Sequence, residues 1–112
     1  MAVTKFGYEN LELCEVSVYA TDKEPLPWEK NVALGMRTWQ IDTQHSGSPE
    51  RAVDGNTHGD WNQNSCTHTS GGLDRWWMVD LEKEAKLTRV RLYNRLDHSL
   101  YCKKYCIYSH VP

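Results

Sequence analysis

The sequence lacks an excess of positive charge: 13 Lys and Arg stand against 15 Asp and Glu, which gives a formal net charge of -2. That balance provides no basic field for phosphates or anionic headgroups, so nucleic acid and membrane surfaces are poor partners. No stretch approaches the roughly 18 consecutive apolar residues that a membrane-spanning helix needs. Residues 1–10 also lack the apolar run and the small-residue cleavage site of a secretory signal peptide.

Phenylalanine is scarce, with one residue against five Trp and six Tyr. This aromatic composition favours β structure and surfaces on which polar ligands stack. The 112 residues, 39% of them hydrophobic, are enough for one globular domain with a core. The four cysteines allow three pairings, so the sequence pattern alone does not fix their connectivity.

Three segments have the composition of β-strands. Residues 11–19 alternate in polarity, with Cys14, Val16 and Val18 on one side, which predicts a half-buried strand. Residues 76–81 and 87–93 are the clearest strands. Because the charged connection between them is too short for a helix, we expect a hairpin or two neighbouring strands. The fold class that follows is all-β.

Polar segments separate these strands. Residues 21–30 contain Pro25 and Pro27, which prevent ladder pairing, so this stretch is predicted to be a linker. Asp54-Gly55-Asn56 is a turn sequence whose oxygens can converge on a hard cation, although Asp54 in such a turn is often only a turn former. Trp61 lies in a polar loop and is predicted to be exposed or half-exposed.

His68, Arg95 and Asp97 are arranged for gripping hydroxyl groups rather than for breaking bonds. A neutral imidazole and a guanidinium would present convergent donors, and Asp97 would hold Arg95 in one rotamer. Two alternatives stay open: His68 as a structural histidine, and Arg95 with Asp97 as a surface ion pair. No Ser-His-Asp set is apparent, so an enzyme is not expected.

Five motifs in a fixed order give the chain a family resemblance. They are NVALG at Asn31, RAVDGN at Arg51, SCTHT at Ser65, WWMVDL at Trp76 and NRLD at Asn94. With them, roughly residues 31–97 resemble the F-type lectins, the fucolectin family. The resemblance implies a discoidin-like jelly-roll β-sandwich, a bound calcium ion, and recognition of terminal L-fucose on glycans in extracellular innate-immune defence. It also implies homo-oligomers or tandem-repeat neighbours as possible partners.

The family's sugar motif is a His, 26 intervening residues, Arg-x-Asp, four more residues and a final basic residue. His68, Arg95 and Asp97 match it, and Trp61 falls where the family places an aromatic ring near the sugar's methyl group. The final basic position falls on Cys102, and the neighbouring Lys103 is the candidate replacement. The family's adjacent Cys-Cys pair is His98-Ser99 here.

The resemblance also implies a calcium site. The matching ligand positions are Arg51 and Asn56 through backbone oxygens, Asp54 through its carboxylate, and Ser65. The family takes one more ligand, a glutamate, from its last strand in a Leu-Cys-Glu context, and that context occurs here at the beginning of the chain, around Glu15.

That position suggests two arrangements. In the first, residues 1–20 are the terminal strand of a preceding repeat, residues 21–30 a linker, and residues 31–112 a lectin domain truncated at its C-terminus. In the second, residues 11–19 fold back into the last-strand position of this same domain. Glu15 would then complete the calcium shell, and Cys14 would bond to Cys66, which is the family's pairing.

Two further readings stay open. The alternative to a sugar-binding lectin is a sandwich fragment that keeps the fold and the calcium site but has lost sugar binding. In the C-terminal tail, His98, Cys102, Cys106 and His110 recur every four residues, which on a helix would align zinc-type ligands. The tail would otherwise be a segment foreign to the fold, with two incidental thiols or a Cys102–Cys106 disulfide.

Overall fold

The structure is a computed structural model that describes residues 1–21 and 30–97. It contains six strands and two short 3₁₀ helices. The strands are β1 (Ala2–Lys5), β2 (Leu13–Thr21), β3 (Lys30–Asn31), β4 (Thr38–Gln40), β5 (Arg75–Val79) and β6 (Lys86–Asn94). The 3₁₀ helices span Pro49–Val53 and Trp61–Gln63. In the described part of the chain, no helix is long and apolar enough to cross a membrane.

The strands form two antiparallel three-stranded sheets. Sheet A has the order β1-β5-β4, and sheet B has the order β3-β2-β6. Apolar side chains from both sheets and from the first 3₁₀ helix form one core. Its buried members are Val3, Leu11, Leu13, Val16, Val18, Ala33, Ala52, Val53, Trp77 and Val79. The all-β sandwich predicted from the sequence is therefore confirmed.

Strand β2 is buried on both faces, so the prediction of a half-buried strand is wrong. Glu15 and Ser17, on the predicted polar side, are 1% and 5% exposed. The alternation is also interrupted, because the pairing with β6 shifts register between Leu13 and Glu15. This bulge puts Leu13 together with Val16 and Val18 in the core cluster, where a regular alternation would have put Cys14.

The prediction that the strands at 76–81 and 87–93 form a hairpin or neighbouring strands is also wrong. Strand β5 pairs with β1 and β4 in sheet A, whereas β6 pairs with β2 in sheet B. The connection between them therefore crosses from one sheet to the other. The physical reason is that two strands from the beginning of the chain take the pairing positions that a hairpin would have used: β1 pairs with β5, and β2 pairs with β6.

Candidate functional site

The segment that carries His68 is held against the entry to β2. Residues 67–69 run antiparallel to residues 11–13: the N–H groups of the two threonines donate to the two leucine carbonyls at 2.7 and 3.1 Å. The threonine hydroxyls in turn accept from the leucine N–H groups at 2.9 and 2.8 Å. His68 therefore lies directly opposite Glu12, and both side chains project on the same face.

Gly47 holds the other side of the His68 segment. The His68 N–H donates to the Gly47 carbonyl, and the Gln44 N–H donates to the His68 carbonyl, each at 2.9 Å. A Cβ atom on Gly47 would lie 2.5 Å from the His68 nitrogen, which is closer than real Cβ atoms approach. The backbone at position 68 is thus fixed from both sides.

Arg95 comes directly after β6 and is held by Asp97. Its Nε donates to Asp97 Oδ1 at 2.9 Å and its Nη2 to Asp97 Oδ2 at 3.2 Å, which makes a bidentate pair. Asp97 Oδ1 also accepts from the Trp61 N–H at 3.2 Å. The Arg95 guanidinium keeps the pKa of Asp97 at about 2, well below its ordinary value. This contact joins the loop after β6 to the second 3₁₀ helix.

His68 and Arg95 converge on one oxygen atom, Oε1 of Glu12. His68 Nε2 lies 2.8 Å from it and Arg95 Nη1 lies 3.3 Å from it. Asn10 Nδ2 donates to the same oxygen at 2.9 Å and lies 3.1 Å from His68 Nε2. The side chains of His68, Arg95 and Glu12 are 10–12% exposed. We call His68, Arg95 and Asn10, whose polar atoms surround Glu12 Oε1, the donor hollow.

The imidazole tautomer follows from its surroundings. His68 Nδ1 lies 2.8 Å from the Thr69 carbonyl, which only accepts, so Nδ1 carries a proton. In a neutral ring with this tautomer Nε2 is then an acceptor, whereas the predicted donation to a ligand would come from a ring that carries a proton on Nε2. The contact between Nε2 and the Glu12 carboxylate needs a proton between the two atoms. Burial lowers the pKa of His68, while the Glu12 charge opposes that change.

Trp61 forms one wall beside the donor hollow. Its ring centroid lies 5.4 Å from that of His68 in an edge-to-face arrangement, and Arg95 Cζ lies 5.1 Å from the Trp61 centroid. Arg51 Cζ approaches the same centroid to 5.5 Å. The residue is half-buried, within the range predicted from its polar loop. It places an aromatic surface next to the converging polar groups.

The Asp-Gly-Asn turn lies at the end of the first 3₁₀ helix. Asp54 Oδ1 accepts from the Asn56 N–H at 2.9 Å, and Gly55 has a φ of +84°, a conformation that favours glycine. Glu15 reaches this turn from β2, where its Oε2 accepts from the Gly55 N–H at 2.9 Å. Glu15 and Asp54 are therefore brought together by elements far apart in sequence.

Glu15 is a buried carboxylate that is only partly satisfied. It is 1% exposed, and within residues 1–21 and 30–97 its Oε1 has no hydrogen-bond partner. Burial, with a smaller contribution from the nearby Asp54 carboxylate, raises its pKa to about 7. An unsatisfied buried oxygen beside a second carboxylate is an arrangement that a hard cation would relieve.

The other predicted calcium ligands, Arg51, Asn56 and Ser65, carry no acidic side chains. Among the described residues there is no cluster of three or more His, Cys, Asp or Glu that could hold a metal. A cation there would need hydroxyl and backbone oxygens, as predicted for Arg51, Asn56 and Ser65. The Ser65 hydroxyl donates to the His58 carbonyl at 2.5 Å, and the Arg51 guanidinium donates to the Cys66 carbonyl at 3.3 Å.

A disulfide bond joins Cys14 to Cys66, as predicted from the family resemblance. The two Cα atoms are 3.8 Å apart, well inside the roughly 7 Å beyond which no bond forms. The bond lies beside both sites, since Glu12, which contacts His68 and Arg95, precedes Cys14 by two residues and Glu15 follows it directly. Lys103, and the tail residues His98, Cys102, Cys106 and His110, lie outside the described residues.

Sequence reasoning missed Asn10, which completes the donor hollow, and Glu12, which occupies it. A usable signal was present. If a disulfide joins Cys14 to Cys66 across two antiparallel segments, then the residue two positions before Cys14 lies opposite the residue two positions after Cys66. That count gives Glu12 opposite His68, which is what the structure has.

Comparison with known proteins defines the class. A family profile described as a NedA-like, galactose-binding domain matches residues 51–110. Fucolectin-6 of Anguilla japonica is 38% identical over 90 residues, and fucolectin of Anguilla anguilla is 35% identical over 74 residues. These alignments cover 76% and 62% of the chain and 47% of each relative, so the chain spans about half the length of these relatives. No solved structure matches the chain significantly.

The all-β sandwich and the profile match together define a galactose-binding-like domain. The chain belongs to the F-type lectin, or fucolectin, family. This is a family of carbohydrate-binding, non-enzymatic proteins, in agreement with the prediction that the chain is not an enzyme.

Proposed function

We propose that the chain is a calcium-dependent lectin domain that binds terminal L-fucose on glycans. The observation that carries the proposal is the convergence of His68 Nε2 and Arg95 Nη1 on a single oxygen position, 2.8 and 3.3 Å away. One sugar hydroxyl in that position would contact both groups. Trp61 supports the proposal by offering an apolar surface for the methyl group that distinguishes fucose, and the names of the fucolectin relatives support the same sugar.

Calcium would be held by Glu15 and Asp54, with oxygens of Arg51, Asn56 and Ser65. When bound, the ion would supply charge compensation for the two carboxylates and fix the loop that carries Trp61. It would not touch the sugar. The unsatisfied Glu15 Oε1 is the observation that favours it. The disulfide suits an oxidising, extracellular compartment and supports secretion with a role in innate-immune glycan recognition.

Multivalency belongs to the same proposal. A single shallow sugar site is weak, and linked sites gain avidity without new contacts. Homo-oligomers or tandem-repeat neighbours would supply that gain.

The test is retention of the purified chain on fucose-agarose, with calcium and with a chelator. We expect elution by free L-fucose, loss of retention with the chelator, and loss of retention in His68→Ala. Arg37→Ala is the control, because Arg37 is an exposed residue whose ion pair with Asp80 is 3.6 Å long and lies just beyond the ends of β4 and β5 in sheet A. Retention of His68→Ala equal to that of the wild type would contradict the proposed site.

A second function is favoured by one observation. The Glu12 carboxylate already contacts both donors, which suits a sandwich that keeps its fold and calcium site but has lost sugar binding. In that case the intact, folded chain would not be retained on fucose-agarose under any of these conditions, nor bind any sugar of a glycan array.

A further inference from the structure

Glu12 contacts the donor hollow at the fucose site proposed above, on which this inference rests. We propose that Glu12 is a built-in occupant of the hollow, which a sugar hydroxyl must displace in order to bind. Glu12 is thus an affinity-determining residue. The ligand group that can take its place is a hydroxyl, which both donates and accepts hydrogen bonds.

Glu12 occupies the site because the backbone puts it there. Residues 11–13 and 67–69 are joined by four hydrogen bonds, all donated by backbone N–H groups, two to leucine carbonyls and two to threonine hydroxyls. Glu12 and His68 are the residues opposite each other in the middle of this ladder. The carboxylate can leave the hollow only by rotation of its own side chain, and it always remains within reach.

The carboxylate is held through one oxygen. Oε1 receives contacts from His68, Arg95 and Asn10 at 2.8–3.3 Å. While Oε1 stays in place, it occupies the hydrogen-bonding position of His68 Nε2, so Nε2 cannot form a hydrogen bond with a ligand. Binding through His68 therefore requires the displacement of Glu12.

A hydroxyl is a chemically suitable replacement for Oε1. In its neutral form His68 carries its proton on Nδ1, so Nε2 accepts the hydroxyl proton. The same oxygen then accepts from Arg95 Nη1 and from Asn10 Nδ2. A methyl ether or a ring oxygen lacks the proton for Nε2 and would not replace all three contacts. The sugar must accordingly bring a free hydroxyl to this position.

The test compares wild type, Glu12→Ala and Glu12→Gln in calorimetric titrations with L-fucose in calcium buffer. We expect Glu12→Ala to bind about tenfold more tightly, because a charge-assisted competitor has been removed. Glu12→Gln should lie between the two. Glu84→Gln is the matched control, since it removes one carboxylate from an exposed position in the connection between β5 and β6 and should leave the affinity unchanged.

Three outcomes separate this inference from the proposed function. Detectable binding by Glu12→Ala where the wild type binds weakly or not at all supports both. Wild-type binding with equal or weaker binding by folded Glu12→Ala overturns the inference alone and makes Glu12 a direct ligand or a positioning residue. Absence of binding in all variants overturns the proposed function and this inference with it. Thermal unfolding confirms that each variant is folded, and Glu12→Gln provides the answer if Glu12→Ala is not.

Discussion

At the scale of single residues, the guanidinium of Arg95 does two things at once. Two of its nitrogens are bound by Asp97, and the third, Nη1, is left to face the donor hollow. Only a planar fork with donors on both edges makes both contacts from one side chain. A lysine of similar length would keep the charge but lose this geometry.

Arg95→Lys should therefore bind L-fucose about ten- to hundredfold more weakly, which corresponds to one charged hydrogen bond of about 1.5–3 kcal/mol. The measurement is a titration under the conditions used for the wild type. Arg37→Lys is the control, because it makes the same substitution at a residue that is 71% exposed. Equal losses in the two variants would show that the effect is not specific to Arg95.

The buried carboxylate of Glu15 predicts how stability depends on pH without calcium. Its pKa is raised from 4.5 to about 7 in the folded chain by burial, so the folded state holds a proton that the unfolded state has released. Stability from this group is fully present below pH 4.5 and is lost as the pH rises through about 7. The full loss is roughly 3 kcal/mol, at 1.36 kcal/mol per pKa unit.

Urea unfolding in a chelator at pH 5, 6, 7 and 8 measures this effect. The difference between wild type and Glu15→Gln isolates the carboxylate from other titrating groups, and the slope should be present only in the wild type. Calcium should restore the wild-type stability at pH 8 and have little effect on Glu15→Gln. Parallel pH profiles for the two proteins would argue against a raised pKa.

How much of the site was predictable differs from residue to residue. His68, Arg95, Asp97 and Trp61 follow from motif spacing, and the structure brings them together. Glu12 does not follow from spacing, because its role comes from the antiparallel register of two segments more than 50 residues apart. The His68 tautomer is set by the Thr69 carbonyl, a backbone group that no side-chain pattern encodes.

At the scale of elements, the loop that contains Gly47 supports the His68 segment from outside. Gly47 is buried, and any side chain there would meet the backbone and Cβ of His68 at 2.5–2.6 Å. Backbone atoms cannot move aside as the end of a flexible side chain can. The loop at 44–48 and the segment at 67–69 must therefore separate if a methyl group is added.

Gly47→Ala should destabilise the chain by about 1–3 kcal/mol, as overpacked cores do, and should weaken fucose binding as well. Urea unfolding and titration of the same preparation measure the two effects. Gly35→Ala is a partial control, because its Cβ would meet nothing within 4 Å although its φ of +73° brings strain of its own. If Gly47→Ala affects binding no more than Gly35→Ala does, the loop does not position His68.

The elements themselves were only partly predictable. Three strands were found from alternation and composition, but β1 has no distinctive pattern in its four residues, Ala2–Lys5. The hairpin prediction failed because it rested on the adjacency of β5 and β6 in the sequence. That adjacency does not reveal that β1 pairs with β5 and β2 pairs with β6. Burial of both faces of β2 also has a long-range cause, since the turn at 54–56 contacts Glu15 on its polar side.

At the scale of the whole molecule, the Cys14–Cys66 bond fixes the register on which both sites depend. It lies between Glu12, which faces the donor hollow, and Glu15, which faces the Asp54 turn. It closes a sequence separation of 52 residues, for which loss of loop-closure entropy predicts a stabilisation of about 4 kcal/mol. A small domain with two three-stranded sheets depends strongly on such a link.

The double variant Cys14→Ala with Cys66→Ala should therefore lose about 4 kcal/mol of unfolding free energy. Urea unfolding measures the loss, and calcium should recover part of it, because the ion would join Glu15 of β2 to Asp54 across the same junction. Calcium cannot replace the register of residues 11–13 against 67–69, which lies on the other side of the bond. Fucose affinity should consequently stay reduced even where calcium restores stability. Full recovery of both would mean that the turn at 54–56, and not the disulfide, aligns Glu12 with His68.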